Sequence, residues 1–182
     1  VVPYIPYITE SFDCTTNRAT IIQWLLTQKI KKYTNTKVLL IGDGSDETHM
    51  SYIYVHKCPS EEAFVEESFK LVENIECFDV DRADKGTSDN GLEPRPPFLD
   101  LEYITTYFSI DPKLRMPKNG IEKWLFREAL RDNNDLPLEI IFRPKEAMSD
   151  GCSTVEDSWY VILQKHIDGL VTDEELEIAQ KT

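Results

Sequence analysis

Apolar residues recur at helical spacing along most of this chain. Over residues 17–33, Ile21, Ile22, Leu25, Leu26 and Ile30 fall on one side and predict a helix. Its basic run Lys29, Lys31 and Lys32 sits where a helix C-terminus favours cations. Thr34-Asn35-Thr36 then turns the chain, and the aliphatic run over residues 37–41 reads as a strand buried on both faces. That run leads directly into Gly42-Asp43-Gly44-Ser45-Asp46-Glu47. Ser60 is placed to cap a second helix, with Glu61 and Glu62 in its first turn and Phe64, Val65, Phe69, Val72 and Ile75 as its apolar stripe. Residues 78–85 continue with charges among apolar positions. Pro94, Pro96 and Pro97 make residues 91–100 a stiff extended loop rather than an element interior. Helices are predicted over 101–108, over 121–131 with Trp124, Leu125 and Leu130 inward, and over 155–167 through Val155, Trp159, Ile162, Leu163 and Ile167. Pro137 could open a short helix over 136–141, and the capping-box pattern from Thr172 to Glu175 starts a final one.

Helix, buried strand and Gly-rich acidic loop form the order expected of α/β proteins, whose sites lie at the carboxyl ends of strands. A single parallel strand would leave its backbone groups without neighbours. Weaker strands are therefore hidden in this chain or the partners lie on other sequence; the second is the expectation. The fold class expected is α/β and helix-rich, with several strands of a parallel sheet missing from the chain.

The composition narrows the classes of partner. At 182 residues with 41% apolar and 10% aromatic residues, the chain is long and rich enough for one domain. Its 20 Lys and Arg against 33 Asp and Glu give a net charge of −13, which argues against nucleic acid and anionic membranes as partners. No apolar run approaches the ~20 residues of a membrane span, and there is no signal-peptide pattern, although the chain opens on Val1. Cys14, Cys58, Cys77 and Cys152 are widely spaced without a CxxC pair, as reduced thiols in the cytosol would be. His49 and His56 have no nearby Cys to complete a zinc set, and His166 falls in a helical pattern.

The loop over residues 41–47 is the most informative stretch for chemistry. Its glycines allow close backbone approach to a ligand, and Ser45 adds a hydroxyl. Asp43, Asp46 and Glu47 repel one another unless a cation shares their space. Such a cluster could hold Mg²⁺ together with substrate phosphates, or could be a solvated acidic turn or a weak calcium loop; no later Glu follows at EF-hand spacing. Arg82, Arg95, Arg143 and Lys145 are isolated cations, for which ordinary ion pairing is the plain reading. Lys145 differs in leading, after Pro144, into Ser149-Asp150-Gly151, a loop that could carry an ammonium to a phosphate. Residues 13–18 could be a helix N-cap, or Thr15, Thr16 and Arg18 could bind anionic oxygens there.

Together the stretches over residues 11–19, 38–47, 52–60, 78–85, 91–100, 116–124 and 143–151, with Ser158-Trp159, resemble the C-terminal synthetase domain of the asparagine synthetase family, its animal type most closely. They occur in family order over nearly the whole chain. The resemblance implies part of a PP-loop adenine-nucleotide α-hydrolase-like domain, spanning residues 1–182. It also implies a reaction in which aspartate attacks the α-phosphorus of ATP, giving β-aspartyl-AMP and pyrophosphate, and ammonia then displaces AMP. The ammonia comes from glutamine in a separate glutaminase domain, and the full-length protein is expected to be a cytoplasmic enzyme, with a homodimer as its possible assembly.

By that resemblance Ile41 and Gly42 contact ATP, Ser45 and Asp46 lie at the pyrophosphate and Mg²⁺, and Asp43 stands where the family has a glutamate supporting intermediate formation. Thr15, Thr16 and Arg18 bind phosphate or intermediate oxygens, Asp79 and Arg82 position aspartate and nucleotide, and Lys145 neutralises charge at the α-phosphorus. The chain departs from the family pattern at Ile41, where a serine is usual, at the shorter Asp43, and at Met50 and Ser51, where glycine is usual at one or both positions and a side chain could obstruct the approach of the backbone. The family's Ser-Gly-Gly-x-Asp-Ser loop and its N-terminal cysteine nucleophile do not occur in these residues, so the expectation is a partial synthetase that is inactive alone. A truncated or degenerate homologue acting as a binding module is the alternative.

Overall fold

The computed structural model describes residues 1–77, 79–132, 136–154 and 156–181, and only the backbone of Gln180. Phe78, the first residue of the charged stretch 78–85, and Val155, the first of the helix expected over 155–167, lie outside the described residues. Contacts divide the chain into two compact units, Val1–Lys145 and Glu146–Thr182.

The first unit begins with α1 (Ile5–Thr9) and α2 (Cys14–Tyr33). The Asp13 carboxylate caps α2 by accepting from the Thr16 N–H at 2.6 Å. Its buried face differs from the expected one. Ala19, Thr20, Ile21, Gln23, Trp24 and Thr27 turn inward, whereas Leu25 and Leu26 are exposed. The physical reason is the partner helix, α5 (Asp79–Ser88), where Gly86 offers a flat backbone. A Cβ on Gly86 would stand 3.0 Å from Thr20 Cγ2, and the Thr27 hydroxyl donates to the Gly86 carbonyl at 3.1 Å. Trp24 Nε1 donates to Asp89 at 2.7 Å, and Lys85 reaches back to the Thr9 carbonyl at 2.8 Å. Small and polar side chains thus determine the contact, and apolar spacing alone misassigns it.

The strand β1 (Val38–Leu40) is shorter than expected, and its outer residues Val38 and Leu40 are exposed rather than buried on both faces. Nor is it without a partner within the chain. It pairs in parallel with β2 (Glu93–Arg95), in the register Val38 to Glu93, Leu39 to Pro94 and Leu40 to Arg95. The Pro-rich segment therefore is a strand, because Pro94 lies between the residues that bond to β1. The Glu93 N–H donates to the Lys37 carbonyl at 2.7 Å and the Ile41 N–H to the Arg95 carbonyl at 3.0 Å. The missing donor of Pro94 belongs to the opposite edge, where a proline is tolerated.

Between the strands lie α3 (Ser45–Thr48) and α4 (Glu61–Glu73), the latter capped by Ser60 as predicted. Phe64 and Leu71 of α4 build the core with Met50 and Val55, while Phe69 is exposed. After β2 come α6 (Leu101–Phe108), α7 (Pro112–Arg115), α8 (Trp124–Arg131) and α9 (Leu138–Ile141), the last opened by Pro137. Trp124, Leu125 and Leu130 of α8 are half-buried. The second unit contains α10 (Met148–Gly151), α11 (Trp159–Asp168), capped by Ser158, and α12 (Asp173–Gln180). The predicted capping box opens α12, with Thr172 and Glu175 each accepting the other's backbone N–H. Among the described residues no helix is long and apolar enough to cross a membrane.

Candidate active site

The parallel pair delivers residues 41–47 to the carboxyl end of β1. Gly44 fixes the bend there. Its φ is +83°, and a Cβ would stand 2.4 Å from Leu99 Cγ and Cδ2. Gly42 has open space around it, so of the two glycines only Gly44 is required by packing. Thr48 ties α3 to the turn over Pro97–Leu99 by donating to the Phe98 carbonyl at 3.1 Å. Beneath it, His49 is buried, with Nδ1 2.7 Å from the Ser45 carbonyl and Nε2 2.6 Å from the Tyr103 hydroxyl.

Two ammonium groups converge on this loop. Lys145 Nζ lies 2.9 Å from one Asp46 oxygen and Lys123 Nζ lies 2.7 Å from the other. Lys123 also donates to the Ser45 hydroxyl at 2.8 Å, across 78 residues of sequence. Lys145 stands 4.9 Å above the Tyr52 ring, and Tyr52 donates to Glu47 at 2.5 Å. Arg127 holds the approach to Lys145 by donating to the carbonyls of Ile141 and Arg143. Burial pushes the Asp46 carboxyl up, but the ammoniums of Lys123 and Lys145 outweigh it and hold it below the usual range. Glu47 is pushed above its ordinary value by burial, and Asp79 and Asp46 add to this against the Tyr52 hydrogen bond.

Arg82 forms the second half of the cluster. It pairs with Asp79 and approaches Asp43 to 4.0 Å. Burial raises the Asp43 carboxyl, opposed by Arg82 and assisted by the charges of Asp79 and Asp46. Asp79 and Arg82 line a cavity of about 460 Å³ together with Asp13, Thr15 and Thr16 at the head of α2. Arg18, one turn further along α2, is half-buried and is not among the lining residues. Ile41 is half-buried and Gly42 exposed. A larger, open groove of about 540 Å³ lies against α1, but its Lys85 is committed to Glu10, Asp81 and the Thr9 carbonyl.

Two expectations about this site change. Met50 and Ser51 do not obstruct it, because both point inward and are 1% and 0% exposed. Met50 instead packs on Val55, Phe64 and Leu71 while holding the left-handed φ of +55° that favours glycine. Lys123 carried no functional assignment from its sequence. The turn before it is legible in Asn119-Gly120, but nothing local reveals an ammonium that reaches Ser45 and Asp46.

Mg²⁺ binds through oxygen ligands, carboxylates among them. Among the described residues no three His, Cys, Asp or Glu groups converge to hold a metal. A protein-built cage is therefore not formed, whereas an ion carried on phosphates needs only one or two carboxylates. Asp46 could meet that lesser requirement only by giving up an ammonium, since Lys123 and Lys145 hold both of its oxygens.

The family model described as asparagine synthase matches residues 58–180. The chain belongs to the asparagine synthase family. Among its curated relatives are proteins named asparagine synthetase [glutamine-hydrolyzing]. That of Cricetulus griseus is 48% identical over 170 residues, that of Gallus gallus 49% over 170, and that of Homo sapiens 48% over 164. The matches cover 93%, 93% and 90% of this chain but 30%, 30% and 29% of those relatives. The chain thus spans about a third of the length of the asparagine synthetases that it matches. Its site loop, over residues 41–47, precedes the part matched by the family model but falls within a chain aligned almost throughout with these relatives.

Proposed function

We propose that these residues form one wall of the synthetase site of an ATP-dependent carbon–nitrogen ligase, which makes asparagine from aspartate through β-aspartyl-AMP with ammonia derived from glutamine. The observation that carries this reading is the pair of ammoniums, Lys123 and Lys145, meeting on the loop at the end of β1. Anionic substrates must be crowded together for an acyl-adenylate to form, and fixed cations lower that cost. Lys145 is assigned to the α-phosphorus, where negative charge develops, and Lys123 with Ser45 to the departing pyrophosphate. Arg82, Asp79, Thr15 and Thr16 surround the cavity assigned to aspartate and the nucleotide, with Arg18 supporting from α2. Asp43, 4.0 Å from the Arg82 that lines this cavity, is assigned to intermediate formation; Ile41 and Gly42 are assigned to ATP contact. Mg²⁺ held by Asp46 would screen phosphate charge.

The PP-loop architecture, the cytoplasmic compartment and a homodimer of the full-length protein belong to the same proposal. The test is aspartate-dependent pyrophosphate release by the complete protein with MgATP and ammonia. Lys145→Ala is expected to abolish it while the fold survives. Turnover equal to wild type in that variant sinks the assignment. Residues 1–182 alone, without Ser-Gly-Gly-x-Asp-Ser, are expected to release none.

A further inference from the structure

Asp46 presents two carboxylate oxygens, and each holds one ammonium: Lys123 at 2.7 Å and Lys145 at 2.9 Å. A carboxylate and a phosphate are both oxyanions that accept short, charge-assisted hydrogen bonds from lysine. An ammonium on a flexible stem can move between two such acceptors. The stems here are confined. Lys145 rests on the Tyr52 ring, and Lys123 is anchored at the head of α8 by a left-handed backbone with φ +57°. Small movements of the two stems are therefore the cheap way to redistribute charge in this site. The neighbouring Asp43 and Glu47 add negative charge on the same loop, so the parked lysines present little net attraction to an incoming anion.

We propose that Asp46 is a latch: its carboxylate occupies the place of a phosphate and parks Lys123 and Lys145, and a polyphosphate binds by taking both ammoniums over. The inference rests on reading this site as one that handles pyrophosphate. The latch keeps two cations preorganised, and it makes metal-free polyphosphate compete against an internal anion. It also gives Asp46 a function before any metal arrives.

The test is calorimetric binding of inorganic pyrophosphate to the complete protein in EDTA. Asp46→Asn is expected to bind about tenfold more tightly than wild type, equivalent to ~1.4 kcal/mol. The double variant Asp46→Asn/Lys123→Gln has the net charge of the wild-type trio, +1, and still frees one ammonium, so it too is expected to exceed wild type. It serves as the decisive arm if Asp46→Asn alone fails to fold, as judged by thermal melting. Binding by Asp46→Asn no tighter than wild type, or absent from both, overturns the latch. A double variant that merely equals wild type also overturns it, because net charge then suffices. Aspartate-dependent ATP–pyrophosphate exchange by the wild type separates the two claims. Exchange without tightening leaves the ligase reading and removes the latch; tightening without exchange does the reverse.

Discussion

Met50→Gly sets two physical effects of opposite sign against each other. Glycine is the residue that a φ of +55° favours, and relief of the Cβ clash contributes about 1–2 kcal/mol. Against it, glycine gives up about 0.5–1 kcal/mol through the entropy of the unfolded chain. The larger loss is packing. Met50 is 1% exposed and contacts the cluster of Val55, Phe64 and Leu71, with Tyr52, Cys58 and Met116 at its edge. Emptying such a site costs about 2–5 kcal/mol. The balance is a destabilisation of roughly 3 kcal/mol. Urea unfolding of the complete protein measures it, with two reference variants. Met50→Ala keeps the backbone strain and loses similar contacts, so it should fall within about 1 kcal/mol of the glycine variant. Met50→Leu refills the space and should cost less than about 1.5 kcal/mol. A glycine variant as stable as wild type refutes the reasoning, since strain would then outweigh packing.

Two further expectations concern the same loop. Burial holds the His49 pKa down at about 4, against an ordinary 6.5, so the folded protein binds fewer protons than the unfolded chain between those values. The contribution of neutral His49 is therefore fully present above pH 6.5 and is lost as pH falls toward 4, by up to roughly 3 kcal/mol. Stability measured across that window should slope upward with pH, and His49→Gln should flatten the slope; parallel curves for the two proteins contradict the assignment. Gly44→Ala should destabilise by more than about 2 kcal/mol, because its Cβ meets Leu99 at 2.4 Å on a left-handed backbone. Adding Leu99→Ala should recover only the part due to collision, and full recovery would show that the backbone carries no strain.

What the sequence determined by itself was local. The cap at Ser60, the box at Thr172 and the helix over 101–108 depend on side chains within a few residues of the backbone they bond. The acidic loop was legible as a candidate site, with a solvated turn as the rival reading, because its carboxylates are crowded within one short stretch. Only the tertiary structure decided the rest. The inward face of α2 depends on Gly86, 59 residues from Thr27, and β2 depends on which side of Pro94 meets β1. Lys123 joins the candidate site only because a distant loop brings Asp46 and Ser45 within hydrogen-bond reach of its ammonium. Apolar periodicity records how often a helix must turn a face inward, but not which neighbour waits there. A charged side chain records even less, because its partner is chosen by distance in space and the chain brings that partner from far along the sequence.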